Sequence, residues 1–118
     1  MYDVVALGEL LIDFTTQATD PDGYPTMTAH PGGASANFLA AIAKFGGKAA
    51  LLGKVGTDTF GKLLTDTLRK AGVETKGLVA SDEFFTTLAF VTLDENGDRE
   101  FAFARKPGAD TQLRFDEL

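Results

Sequence analysis

The sequence predicts an α/β fold in which short strands and amphipathic helices alternate around a mostly parallel sheet. Three observations carry this. DVVALG, residues 3 to 8, is a short apolar run closed by glycine. Apolar residues then recur at helical spacing from Ala34 to Phe45 and again after Thr57-Asp58. Between those two stretches KAALLGKVG is a second apolar run ended by glycine. Strand, helix, strand, helix with short connections is the pattern of a three-layer unit. With 118 residues, the chain falls in the one-domain range and buries a sizeable core.

In chain order, DVVALG reads as an interior strand. LLIDFTT continues extended, TDPDGYP supplies turn residues and TMTAH returns, which predicts a hairpin from about Leu10 to His30 with Asp13 pointing out or near its root. The helix over Ala34–Phe45 is expected to bury Phe38, Ile42 and Phe45, with Leu39 and Ala43 alongside, and to end at Gly46-Gly47. KAALLGKVG is a buried strand. Asp58 caps a second helix whose expected face is Phe60, Leu63, Leu64, Leu68 and Ala71, closed by Gly72. TTLAFVTLDENGDREFAFAR is two extended runs about Asn96-Gly97, where left-handed backbone is cheap. Period two puts Phe101, Phe103 and Arg105 on one face and Glu100, Ala102 and Ala104 on the other. No repeat, low-complexity tract or domain boundary interrupts the chain, only two hairpin-like insertions.

Composition narrows the function classes. Seventeen acidic and eleven basic residues give a net charge of −6, and the cations are scattered, which argues against a nucleic-acid backbone as partner. A small anionic ligand stays open, because one Arg suffices for it. Without cysteine there is no disulfide and no thiolate metal site, in keeping with a reducing cytoplasm. The first residues lack a basic segment followed by a long apolar one, and no apolar run approaches the roughly 18 residues of a membrane span. A soluble cytoplasmic protein is the expectation. GADTQLRFDEL ends the sequence with neither a helix-ending signal nor a polar tail, so a piece of a longer chain is expected.

Four groups could carry chemistry. Gly32-Gly33 lacks Cβ atoms, so a ligand can approach its peptide N–H groups, and the helix start that follows favours an electronegative partner. Asn37, in the first helical turn, offers a donor and an acceptor suited to a hydroxyl. Equally, the glycines can simply make a turn. Asp13 interrupts the apolar LLIDF, and a carboxylate there must reach water or find donors, such as two sugar hydroxyls. Glu9 could act similarly or hold the turn. Arg105 ends a strand beside Phe103, an apolar wall closed by a charge or an ordinary strand face. His30 reads as a strand-end residue, with no ligand spacing for a metal around it. GKVGTDTFG has neither the Walker nor the dinucleotide glycine spacing and is expected to shape a strand end. No nucleophilic triad or paired-carboxylate site is visible, so no catalytic residue is assigned.

Four blocks in order, ALGELLIDF, PGGASANFLAAIAKFG, GKVGTDTFGKLLTDTLRKAGV and GDREFAFARKPGAD, resemble the amino-terminal part of the ribokinase/pfkB family of carbohydrate kinases, and within it the bacterial fructokinases. The likeness covers essentially the whole chain. It implies a ribokinase-like αβα sandwich over residues 1–118, with a small β lid from strands near 10–30 and 86–105. The implied activity is ATP-dependent phosphorylation, with Mg²⁺, of D-fructose at its 6-hydroxyl, in a homodimer joined through the lid. By the resemblance, Asp13, Gly32, Gly33, Asn37 and Arg105 bind the sugar, and Phe103, beside Arg105 on the strand face, is placed with them as an apolar wall. The family's catalytic aspartate and nucleotide site are expected beyond Leu118. PGAD at 107–110 lacks the second glycine of that motif, so Asp110 is not the expected base, and the chain alone is expected to be inactive. Ala104 stands where fructokinases often carry an aromatic, and Lys106 where they carry asparagine. A kinase for 2-keto-3-deoxygluconate, an acidic sugar that would also use Arg105, is the alternative within the family. A sugar-binding module without catalysis, or a structural domain, are the alternatives outside it.

Overall fold

The structure, a computed structural model, describes all residues from Met1 to Leu118. Seven strands and two helices follow one another as β1 Val4–Leu7, β2 Leu11–Thr19, β3 Pro25–Gly32, α1 Ala34–Lys44, β4 Ala49–Gly56, α2 Thr59–Lys70, β5 Leu78–Ser81, β6 Leu88–Leu93 and β7 Arg99–Ala104. Two short 3₁₀ turns, Ala109–Thr111 and Phe115–Glu117, close the chain. They form two sheets. One is parallel, in the order β1-β4-β5, and the other is the four-stranded lid, β3-β2-β6-β7.

The parallel sheet carries both helices on one face. Right-handed crossovers that step the same way along a sheet put their helices on the same side. Accordingly Leu39 of α1, Leu64 and Leu68 of α2, and Ala49, Leu51 and Val55 of β4 pack into one core with Leu10 and Ile12. Burying a leucine of this kind contributes about 1.5–3 kcal/mol. The other face of the sheet is bare at β1, where Val5 and Leu7 are exposed.

The expected helix faces hold in large part: Leu39, Ile42 and Ala43 of α1, and Phe60, Leu64 and Leu68 of α2 with Ala71 after it, lie in or against the core, and the exceptions are aromatic or at the margin. In α1, Phe38 and Phe45 are exposed, and the buried positions are Ala36 and Leu39. Close approach of α1 to the sheet favours small residues, which leaves the bulky rings outside. Leu63 of α2 is likewise exposed at 39%. The strand β5 lies in a stretch that the periodicity left unassigned; it is only four residues long, too short to register as a pattern.

The two predicted hairpins are real, but they are not separate insertions. β2 pairs antiparallel with β3 and, in parallel, with β6, which pairs with β7. Both tips are built alike. Asp20 Oδ1 accepts from the N–H groups of Asp22 and Tyr24, and Asp94 Oδ1 from those of Asn96 and Asp98. Only Gly97 of the Asn96-Gly97 pair takes a left-handed backbone, φ 80°. The lid's root is fastened by Phe14, which stacks on Phe90 at 5.2 Å and meets Phe60 of α2 edge-on at 5.4 Å.

Candidate functional site

Alternation divides the lid into two faces. Ile12, Phe14, Leu88 and Ala29 turn toward the core. Asp13, His30, Ala89, Val91, Phe101 and Phe103 share the other face by register: Asp13 lies opposite His30 and Ala89, Ala89 opposite Phe103, and Val91 opposite Phe101. On this side an open hollow of about 390 Å³ is lined by Asp13, Thr15, His30, Val91, Arg99 and Phe101, among others.

Asp13 and Gly32 meet at the root of this face. A Cβ at Gly32 would overlap the Asp13 carboxylate, so the bare glycine is what gives that side chain its position. Asp13 belongs to none of the chain's ion pairs. Its negative charge is therefore presented, half-buried, toward the hollow. Gly33 is required for a different reason. Its φ is 116°, and a Cβ there would come 2.5 Å from the Glu9 carbonyl oxygen, where the chain returning from the lid crosses the chain entering it. Gly33 is also the N-cap of α1 and supplies no side chain, so first-turn N–H groups of the helix are left for another acceptor.

Of the predicted site residues only Asp13 lines this hollow; Gly32 abuts Asp13 at its root, while Gly33, Asn37, Phe103 and Arg105 lie off it. Asn37 is exposed on the first turn of α1 and, with Pro31 and Gly32, lines a small groove between the two helices rather than the hollow of Asp13. Phe103 is two residues nearer the root than Phe101, and it is Phe101 that lines the hollow. The rings stack with centroids 6.5 Å apart. Arg99 and Val91 escaped the sequence reading, although pairing outward from the Asn96-Gly97 turn would have set both beside Phe101.

Arg105 lies over the Phe103 ring, 5.1 Å from its centroid. Its Nη2 donates to Asp110 Oδ2 at 2.8 Å and to Glu9 Oε2 at 2.9 Å. Asp110 also accepts from the Thr87 hydroxyl. The Glu9 side chain is thus paired with Arg105 rather than with the Pro31-Gly32-Gly33 turn, and it also lines a second hollow shared with Gly8, Gly53 and Asp110.

The glycine-rich GKVGTDTFG does not form a phosphate cradle. Its Gly56 and Gly61 are filled by protein: a Cβ at Gly56 would meet the Phe84 carbonyl oxygen at 2.8 Å and the Thr86 nitrogen at 2.9 Å, and one at Gly61 would strike the Gly56 carbonyl. Asp58 is the N-cap of α2, accepting from Gly61 N at 2.8 Å and, across the chain, from Thr86 N at 2.9 Å. Burial opposes its charge, but the N–H groups of Thr86 and Gly61 outweigh that and hold the carboxyl below its ordinary range. No group of three or more His, Cys, Asp or Glu side chains is arranged to hold a metal, and no helix is long and apolar enough to cross a membrane.

The model of the pfkB family carbohydrate kinases matches residues 1–117. The chain belongs to the pfkB family of carbohydrate kinases. It is 46% identical over 117 residues to the probable fructokinase-3 of Arabidopsis thaliana, and 46% identical to fructokinase-1 of Zea mays, covering 98% of this chain in both cases. A fructokinase from Xylella fastidiosa superposes with a TM-score of 0.92 at 39% identity over 98% of this chain; the same fructokinase with bound ATP gives 0.91. The chain spans 34% and 36% of those two curated plant relatives and 36% of the Xylella fructokinase. Among pfkB kinases, then, the likeness extends to plant as well as bacterial fructokinases. The architecture is the amino-terminal portion of the ribokinase-like fold, the parallel sheet and the lid together.

Proposed function

We propose that this chain is the sugar-gripping, lid-bearing part of a longer kinase that phosphorylates D-fructose at its 6-hydroxyl. The observation that carries the reading is the Asp13 carboxylate, unpaired and seated against Gly32 on the open face of the lid. A carboxylate accepts from two adjacent hydroxyls at once, and such bonds to a charged group are the stronger kind. Gly32, against Asp13, leads through Gly33 into the uncapped first turn of α1, whose N–H groups are donors available to a ligand. Asn37 joins the grip in this reading once a ligand reaches the start of α1. Phe101, backed by the stacked Phe103, gives the apolar face of a sugar ring a wall.

Bound ATP, with Mg²⁺, would supply the phosphoryl group. The glycine-rich Gly53–Gly61 segment has its Gly56 and Gly61 filled by protein rather than open to phosphates, so the reading assigns the donor site and the proton acceptor to the remainder of the parent protein. What Asp13 and Gly32 would do is orient the sugar so that its reacting hydroxyl meets the donor in line. The absence of cysteine suits a cytoplasmic enzyme, and the exposed Leu93, Phe101 and Phe103 would suit pairing of two lids.

A coupled assay on the parent protein tests the proposal, with D-fructose and 2-keto-3-deoxygluconate compared. Turnover of fructose that collapses in Asp13→Ala supports it. Turnover confined to the acidic sugar moves the substrate to the alternative, and an Asp13→Ala enzyme of full activity removes the site.

A further inference from the structure

Arg105 is gripped by two carboxylates that are not equivalent. Both bonds use Nη2, and that nitrogen has two hydrogens, so it is fully committed. The Asp110 side chain is 1% exposed and is held a second time by the Thr87 hydroxyl. The Glu9 side chain is 50% exposed, and Arg105 is its one ion-pair partner. Arg105 Nε is buried without an acceptor, which leaves Nη1 as the free part of the fork.

We propose that Asp110 is the positioning residue for Arg105, and that Glu9 is an exchangeable counter-ion whose place on Nη2 an oxygen of the ligand takes. The physics of the two sites differs. A half-exposed pair is screened by water and gives little up when its acceptor is replaced. A buried carboxylate cannot release its cation without being stranded, so Asp110 stays. The chain topology adds a consequence. Glu9 lies on the crossing from β1 into the lid, whereas Arg105 and Asp110 lie on the crossing out of it. Exchange at Glu9 therefore unties one crossing while the other keeps Arg105 aimed, its plane set by Phe103. The proposal rests on the sugar-kinase reading and on the assignment of Arg105 to the sugar.

The experiment measures KM and kcat for D-fructose in the parent enzyme carrying Arg105→Ala, Asp110→Asn, the two combined, and Glu9→Gln. Asp110→Asn keeps the side chain's shape and its bond to Thr87. It is expected to raise KM about tenfold with kcat within about twofold, and to add nothing once Arg105 is alanine. Glu9→Gln should lower KM about two- to threefold. Thr87→Val, which loosens Asp110 indirectly, should raise KM in the same direction and Thr87→Ser should restore it, so the proposal stays testable if Asp110→Asn folds poorly. Full additivity of Asp110→Asn with Arg105→Ala overturns the positioning role alone. A tenfold rise in KM for Glu9→Gln overturns the exchange, and an unchanged KM for Arg105→Ala overturns both this proposal and the assignment of Arg105 to the sugar.

Discussion

The two sheets put the same alphabet to opposite uses. In the parallel sheet, β4 is buried at seven of its eight positions, and helices cover the face that holds Leu51 and Val55. In the lid, β2 begins buried at Leu11 and Ile12 and ends with Gln17, Ala18 and Thr19 exposed, while every residue of β7 is exposed. The first sheet is stabilised by what it excludes. The second leaves a face open, and the polar and aromatic groups of the candidate site stand on that face, at the depth where burial fades. Neighbouring residues at the lid root display the contrast within one strand: Ile12 is wholly buried, and Asp13 beside it faces the hollow.

Substitutions at this boundary sharpen the comparison. Asp13→Ala in the parent enzyme should remove two charged hydrogen bonds of about 1.5–2 kcal/mol each. The expected loss in kcat/KM is roughly 10²–10³-fold, with the urea midpoint unmoved; a large loss of stability instead would mean that Asp13 belongs to the packing. Ile12→Ala should do the reverse and destabilise by about 2–5 kcal/mol through a cavity in the core. Equilibrium unfolding checks it, and a cost below about 1 kcal/mol would break the division between the two faces. Asp58→Ala, at the join of α2 and the segment entering β6, should cost about 1–2 kcal/mol as a lost cap.

Acid refines the last of these. Because the Asp58 carboxyl is held below its ordinary value of 3.8, its ionised form is worth more in the folded chain than in the unfolded one. That contribution is complete above 3.8 and is lost as pH falls through the depressed folded value. Glu117, lowered by hydrogen bonds from Lys54 Nζ and the Arg114 N–H, has the same sign. The gap in stability between the wild type and Asp58→Asn should therefore narrow as urea curves are recorded at decreasing pH below 3.8; a gap that widens would refute the assignment. The smallest effect is expected at the lid tip. Gln17→Ala removes only an exposed bond to the Thr15 hydroxyl and should stay within about 0.5 kcal/mol.

Much of the fold was legible because its signals are local. Asp58 as a cap, the glycines that end strands and helices, and the two turn-bearing hairpins all depend on residues a few positions apart. Helix facing was legible in large part. Leu39, Ile42 and Ala43 face the core as their spacing predicts, whereas Phe38 and Phe45 at the margins of that stripe are exposed and Ala36 is buried instead. The candidate site divides in the same way. Asp13 beside Gly32 follows from hairpin register, and Phe101 with Arg99 from the second hairpin. In the Arg105, Glu9 and Asp110 cluster the Arg105–Glu9 bond spans 96 positions, and no periodicity announces it.

The amino-acid sequence by itself determined the α/β class, the places where chain direction reverses, and the identity of the bare and charged groups near the start of α1. Those are properties of backbone preference and short-range hydrogen bonding, which act within a few residues. Only the tertiary structure decided that β2 and β6 lie side by side, so that two distant hairpins share one face, and that Asn37 opens on a groove apart from Asp13. Strand pairing across more than seventy residues is selected by how the whole chain buries its apolar surface, and that is a sum over contacts no short window of sequence contains.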